Sequence, residues 1–208
     1  VPGRAAHGAL PDTGVSAIAK FHKVREVLRD LETERHASFR HPAFKDNPLA
    51  APRSIGKLRA GDWPATVPDE AIAEGRVGVF PGEDIAAARD QFETTVRNAS
   101  KKDDWLRNHP VQVEWFEGQF EPGETDPETP LIKELGRCHQ ALTGSQLRQQ
   151  GVPYGNDLRL FTRHGNMPAV LYGPGDVLRA HAANESISLD EIVTATEVYT
   201  MLIATLEN

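Results

Sequence analysis

The sequence is poor in cysteine, in long apolar runs and in positive charge, and each shortage removes a class of protein. Cys138 is the single cysteine among 208 residues, so no intrachain disulfide exists and the fold must close on its own core. It sits in the apolar-periodic run Leu131-Ile132-Leu135-Cys138-Leu142, which predicts buried packing rather than a nucleophile. A lone thiol also points to a reducing, cytoplasmic compartment. No apolar run approaches the roughly 20 residues of a transmembrane helix, so no membrane partner is expected. Net charge is −7, and no Lys/Arg stripe interleaves with aromatics, which argues against a nucleic-acid partner. Two catalytic signatures are missing as well. The Gly-rich stretch near 173–175 lacks the Lys-Ser/Thr of a phosphate loop, and no Gly-x-Ser-x-Gly elbow occurs. The opening Val1-Pro2-Gly3-Arg4 has no Met and no secretory h-region, and starts as if inside a strand. We therefore expect a C-terminal piece of a longer protein.

What is present divides into two parts. Val15, Ile18, Val24, Val27, Leu28 and Leu31 recur at helical spacing, predicting an amphipathic helix over 14–35 with Lys20, Lys23, Arg25, Glu26 and Arg29 on its polar face. Residues 36–53 are loop-like, broken by Pro42, Pro48 and Pro52. Strands are expected at Ile55–Gly61 and Arg76–Phe80, and a second helix carries Ile85, Ala88, Phe92 and Val96. A further strand is expected where Val111, Val113 and Trp115 alternate with Gln112 and Glu114. This order predicts an α+β domain over 1–118, a two-layer antiparallel sheet with two helices on one face. A Pro/Glu/Asp/Gly-rich linker begins at 119. The segment 119–208 then predicts part of an α/β domain. Thr129-Pro130 starts a helix running to about Leu142, with Thr129 as N-cap. Leu158–Phe161 and Ala169–Tyr172 suit buried parallel strands. The capping box Ser188-Leu189-Asp190-Glu191 opens a final helix with Ile192, Ala195, Tyr199, Leu202, Ile203 and Leu206 on one face.

Eight histidines are the main candidates for chemistry. His22, His36, His41, His109, His139 and His164 read as structural or surface residues. His7 and His181 stand apart, because each lies in a loop dense with small residues. The loop of His181 leaves the end of an expected parallel strand, where open α/β sheets place ligands. Its neutral imidazole suits zinc, with Glu185 or Asp176 placed to orient it. Gly173 and Gly175 would let the backbone approach a ligand.

Several separate motifs share one resemblance. They are Gly151-Val152-Pro153-Tyr154-Gly155-Asn156-Asp157-Leu158-Arg159, then Met167-Pro168-Ala169-Val170-Leu171-Tyr172-Gly173-Pro174-Gly175-Asp176, then Ala180-His181 with Asn184-Glu185. Together they resemble the C-terminal end of the acetylornithine deacetylase / succinyl-diaminopimelate desuccinylase family, with aminoacylases and glutamate carboxypeptidases as relatives. Val1-Pro2-Gly3-Arg4-Ala5-Ala6-His7-Gly8-Ala9-Leu10-Pro11 is similar to the start of that family's dimerisation (lid) domain, and Gly14–Ile18, Gly61-Asp62-Trp63, Val67-Pro68-Asp69 and Phe80-Pro81-Gly82-Glu83 also fit.

The resemblance implies a zinc-peptidase-like catalytic domain with a two-zinc centre, in which cobalt or manganese can stand in for zinc. It implies that His181 is the centre's C-terminal ligand, and that His7 stabilises the oxyanion in the partner subunit of a lid-mediated homodimer. The implied substrate is an N-acyl amino acid or a peptide-like amide. The family's His-x-Asp pair and Glu-Glu pair precede the lid domain, and this sequence contains neither dipeptide pattern. The chain alone is thus expected to be inactive, since a catalytic zinc usually takes three protein ligands. Two positions depart from the family: Thr66 stands where Asn is common, and Gly78 where many members carry an Arg that helps hold a substrate carboxylate. Arg159 is a substitute anchor, or else the internal partner of Asp157. The competing reading is a non-catalytic dimerisation module with a relic active-site loop.

Overall fold

The computed structural model describes residues 1–206, which form two compact units. The first comprises Val1–Pro122 and Gly151–Gly155, the second Gly123–Gln150 and the chain from Asn156 onward. The architecture is mixed α/β with short antiparallel sheets.

In the first unit, β1 (Ala6–His7) pairs with β3 (Thr66–Val67), and β2 (Arg53–Ala60) pairs with β4 (Ala71–Val77), both antiparallel. The expected single sheet is thus two separate two-stranded sheets. The strand expected at Arg76–Phe80 ends at Val77 instead. Gly78 N–H still donates to the Pro52 carbonyl at 3.0 Å, but Pro52 has no N–H to return, and the ladder stops. Residues 111–115 keep the expected alternation, with Val111, Val113 and Trp115 half-buried and Gln112 and Glu114 exposed. They join no ladder among the described residues.

Helix α1 (Ala17–Ser38) begins three residues later than expected. Arg4 and Val15 exchange backbone hydrogen bonds of 2.8 and 2.9 Å, which holds Val15 extended. Ser16 then caps the helix, its hydroxyl accepting from Ala19 N–H. Helix α2 (Ile85–Lys102) is capped in the same way by Asp84. The two helices join Val24, Leu28, Val96 and Leu106 into a core, with Phe92, Trp105, Val111 and Val113 packed against it.

Lys20 is withdrawn from the solvated face on which it is expected, whereas Lys23 stays exposed. Both reach Asp103, at 2.7 and 3.0 Å, where α2 has ended. Asp103 also accepts from the backbone N–H groups of Trp105 and Leu106. Burial alone would raise its pKa, but the two ammonium groups and the two backbone donors outweigh that and hold it well below the usual carboxylate range. A second cluster gathers Phe44, Ala50, Ala51 and Phe80. Arg35 lies over the Phe80 ring, and its Nη2 donates to both carboxylate oxygens of Glu83.

The second unit rests on two helices, α3 (Pro130–Thr143) and α4 (Leu189–Leu206). Leu135, Cys138, Val198 and Leu202 interlock, and Cys138 is fully buried as expected. Thr129 occupies the N-cap position of α3, yet its hydroxyl makes no capping bond. The packing of Leu206 lies outside the described side chains. The two expected parallel strands are not formed. Leu158–His164 is a helical turn that satisfies its backbone locally, with Gly165 N–H donating to Leu160 O at 2.8 Å, and Ala169–Tyr172 is extended without a ladder. A parallel strand needs neighbours along its edges and cover on both faces. Neither is present among the described residues, and Leu160, Phe161, Val170 and Leu171 are exposed.

Candidate functional site

His7 ends β1, opposite Thr66. The register is tight here: a Cβ on Gly8 would sit 2.6 Å from the Ala65 carbonyl oxygen, so only glycine fits. The His7 ring is exposed, and its Nδ1 accepts from Ala9 N–H at 3.0 Å. A ring nitrogen that accepts carries no proton, so the neutral ring holds its hydrogen on Nε2 and presents a donor. Thr66 has its own local task, its hydroxyl donating to Trp63 O at 2.8 Å to close the turn.

His181 belongs to the second unit, in an exposed loop between Tyr172 and α4. Its φ is +60°, in the left-handed region. Glu185 Oε2 accepts from the His181 backbone N–H at 3.1 Å. It therefore holds the backbone rather than the ring that it is expected to orient. Asp176 is likewise occupied, accepting from Leu178 N–H as the cap of the turn Val177–Arg179. The His181 ring makes no hydrogen bond among the described residues and remains available as a nitrogen donor.

Gly175 has φ +98° and needs glycine, whereas a Cβ on Gly173 would meet nothing within 4 Å. Arg159 is half-buried at the start of the Leu158–His164 turn, and Asp157 beside it is exposed. Gly78, the departure from the family pattern, packs on the Ala51 backbone, where a Cβ would sit 2.4 Å from the Ala51 carbonyl carbon. No side chain of any kind fits there.

Four of the other histidines hold structure, while His22 and His164 are exposed. His36 bridges the Glu32 carbonyl and the Ala51 N–H, at 2.7 and 3.2 Å. His41 accepts from Ala43 N–H, and His109 stacks on Trp105. His139 on α3 meets the Tyr172 hydroxyl at 2.9 Å. Burial, and then the neighbouring Tyr199, push the Tyr172 phenol above its ordinary pKa. No group of three His, Cys, Asp or Glu side chains able to hold a metal occurs among the described residues. Zinc accepts an imidazole nitrogen. His181 therefore fits as one ligand, and the rest of a ligand set would have to come from elsewhere.

Residues 8–205 match the family described as peptidase family M20/M25/M40. The chain belongs to this family. It is 26% identical over 202 residues to the N-formyl-4-amino-5-aminomethyl-2-methylpyrimidine deformylase of Halalkalibacterium halodurans, covering 92% of this chain and 46% of that protein. It is 22% identical to a probable succinyl-diaminopimelate desuccinylase of Staphylococcus epidermidis, covering 95% of this chain and 52% of that protein. Among solved structures, an M20 family metallo-carboxypeptidase, Sso-CP2 from Sulfolobus solfataricus, shares the fold with a TM-score of 0.63 at 13% identity, over 96% of this chain and 55% of that one. The chain spans about half the length of the curated relatives it matches. No helix among the described residues is long and apolar enough to cross a membrane.

Proposed function

We propose that this chain is the lid and the C-terminal catalytic segment of a zinc-dependent amide hydrolase acting on an N-acyl amino acid or a related amide. The observation that carries this reading is the family match over residues 8–205, which spans the whole His181 loop and begins directly after His7. His181 would hold the metal through a neutral ring nitrogen. The metal pair, when bound, supplies activation of water and polarisation of the amide carbonyl. His7 presents an Nε2–H donor where negative charge develops on the carbonyl oxygen, reaching it in a partner subunit through lid-to-lid pairing. The remaining ligands and the general base come from sequence outside this chain. The names of the relatives span a formamide, a succinyl amide and a peptide bond, so the amide is the shared element.

The test is to express the longest open reading frame that contains this sequence and to assay it with zinc on N-formyl, N-acetyl and N-succinyl amino acids and on dipeptides. Metal-dependent release of an amine is expected. His181→Ala should lower zinc content, and His7→Ala should lower kcat with zinc retained. No hydrolysis of any of these amides by the metal-loaded protein would overturn the reading.

A further inference from the structure

Glu191 does something that its motif does not require. In a capping box the N-cap hydroxyl takes the backbone N–H three residues on, and the acidic side chain at that third position reaches back to the N-cap N–H. Here only the first half forms, with Ser188 Oγ accepting from Glu191 N–H at 3.4 Å. The Glu191 carboxylate is turned away, and its Oε2 accepts from Gly175 N–H at 2.8 Å, 16 residues back along the chain. Gly175 is the left-handed glycine at the head of the His181 loop.

Other bonds converge on the same stem. Tyr199, two turns further along α4, donates its hydroxyl to the Tyr172 carbonyl, three residues before Gly175. His139 on α3 holds the Tyr172 hydroxyl from the other helix. Ile187, just before α4, lies 3.4 Å from where a Cβ of Gly175 would be. Further along the loop, Arg179 donates to Ser186 Oγ at 2.9 Å, and Glu185 takes the His181 N–H. The start of the loop is therefore tied to α4 through a carboxylate and a hydroxyl rather than through backbone pairing, and its far part is held by bonds within the loop.

We propose that Glu191 is the positioning residue of the His181 loop: its carboxylate, diverted from the capping box onto Gly175 N–H, fixes where α4 presents the His181 imidazole to a metal. The proposal rests on the reading of His181 as a ligand. A hydrogen bond from a backbone donor to a charged acceptor is among the stronger ones in proteins. It suits a segment with no ladder of its own.

The experiment uses the 208-residue chain, with 15N and ring-proton NMR and with cobalt(II) ions alone as the metal probe. Three variants separate reach from charge. Glu191→Ala removes the acceptor, Glu191→Asp keeps the charge but shortens the reach, and Glu191→Gln keeps an acceptor oxygen at the original reach. Far-UV circular dichroism reports whether α4 survives. The expected result is that Gly175 amide exchange speeds up about tenfold or more in Glu191→Ala and Glu191→Asp, and by clearly less in Glu191→Gln, which keeps the reach but not the charge. In the same two variants the His181 ring resonances should shift, and their broadening by cobalt(II) should need several-fold more metal. Unchanged Gly175 exchange in Glu191→Asp, or equal loss in Glu191→Gln and Glu191→Ala, would overturn the clamp. Cobalt(II) broadening of the wild type that His181→Ala leaves intact at the other ring signals would overturn the ligand reading, while the exchange data still decide the clamp.

Discussion

The two units solve the same problem with different means. The first closes two apolar clusters and adds a buried charge site, in which Lys20, Lys23 and Asp103 join the start of α1 to the end of α2. The second has one helix pair and a long irregular stretch between α3 and α4. Its exposed apolar side chains are many: Leu189, Ile192, Val193 and Ile203 lie along α4, with Phe161, Val170 and Leu171 in the irregular stretch. On a helix, positions 189, 192, 193, 196, 199, 200 and 203 fall on one stripe. Val198 and Leu202 pack elsewhere on the helix, against α3. A helix apolar on two sides is a buried one in most folds. The difference teaches that one unit closes by long-range pairing within its own residues, whereas the other has segments of core composition that find no such pairing.

The largest effect should come from the charge site. Asp103→Ala leaves two lysines without their partner and frees two backbone donors, so we expect about 4 kcal/mol lost from the first unit in urea unfolding followed by Trp fluorescence. The same carboxylate gives a pH signature. Its folded-state pKa lies below the unfolded value of roughly 3.9, so its contribution is complete above that pH and is lost as the pH falls below it. Acid unfolding that is equally steep in Asp103→Asn would show that this site contributes nothing to the pH dependence. In the second unit, Leu135→Ala opens a cavity in the cluster between α3 and α4 and should cost about 3 kcal/mol. Loss of the far-UV helix signal at 222 nm, with the Trp signal retained, would show that the two units melt separately.

A smaller cost is expected at Gly78. Gly78→Ala forces its new methyl onto the Ala51 backbone and should lower stability by about 2 kcal/mol in the same Trp-detected unfolding. A neutral result would mean that the 48–52 loop moves freely away, and that an anchoring side chain could be grafted there. The smallest effect is on the exposed stripe. Val193→Ser with Ile203→Ser should change stability by less than about 0.5 kcal/mol, yet reduce binding of a hydrophobic dye. If the pair destabilises the chain by more than that, the stripe is already covered and the contrast between the units fails.

Local features are legible in the sequence, and long-range ones are not. Both helices of the first unit, the core role of Cys138 and the alternation at 111–115 follow from spacing that each segment carries within itself. The pairing of Lys20 with Asp103 spans 83 residues, and nothing near either residue announces it. The apolar runs at 158–161 and 169–172 have the composition of inner strands. Composition, however, states only what a segment would accept as neighbours, not whether they are present. At the candidate site, the two histidine loops stand out by their small residues. The turning of Glu191 onto Gly175 does not, because a capping box reads the same whichever N–H its acid takes.

The backbone at His181 carries a further consequence. Seven other described residues have positive φ: Gly61, Gly82, Gly118, Gly144, Gly175, Asn166 and Asn184. All are glycine or asparagine, the residues that tolerate this conformation best. His181 alone is neither, so its backbone would be better served by replacement. Replacing His181 with glycine should therefore ease the backbone while removing the imidazole, so stability and metal binding would move in opposite directions.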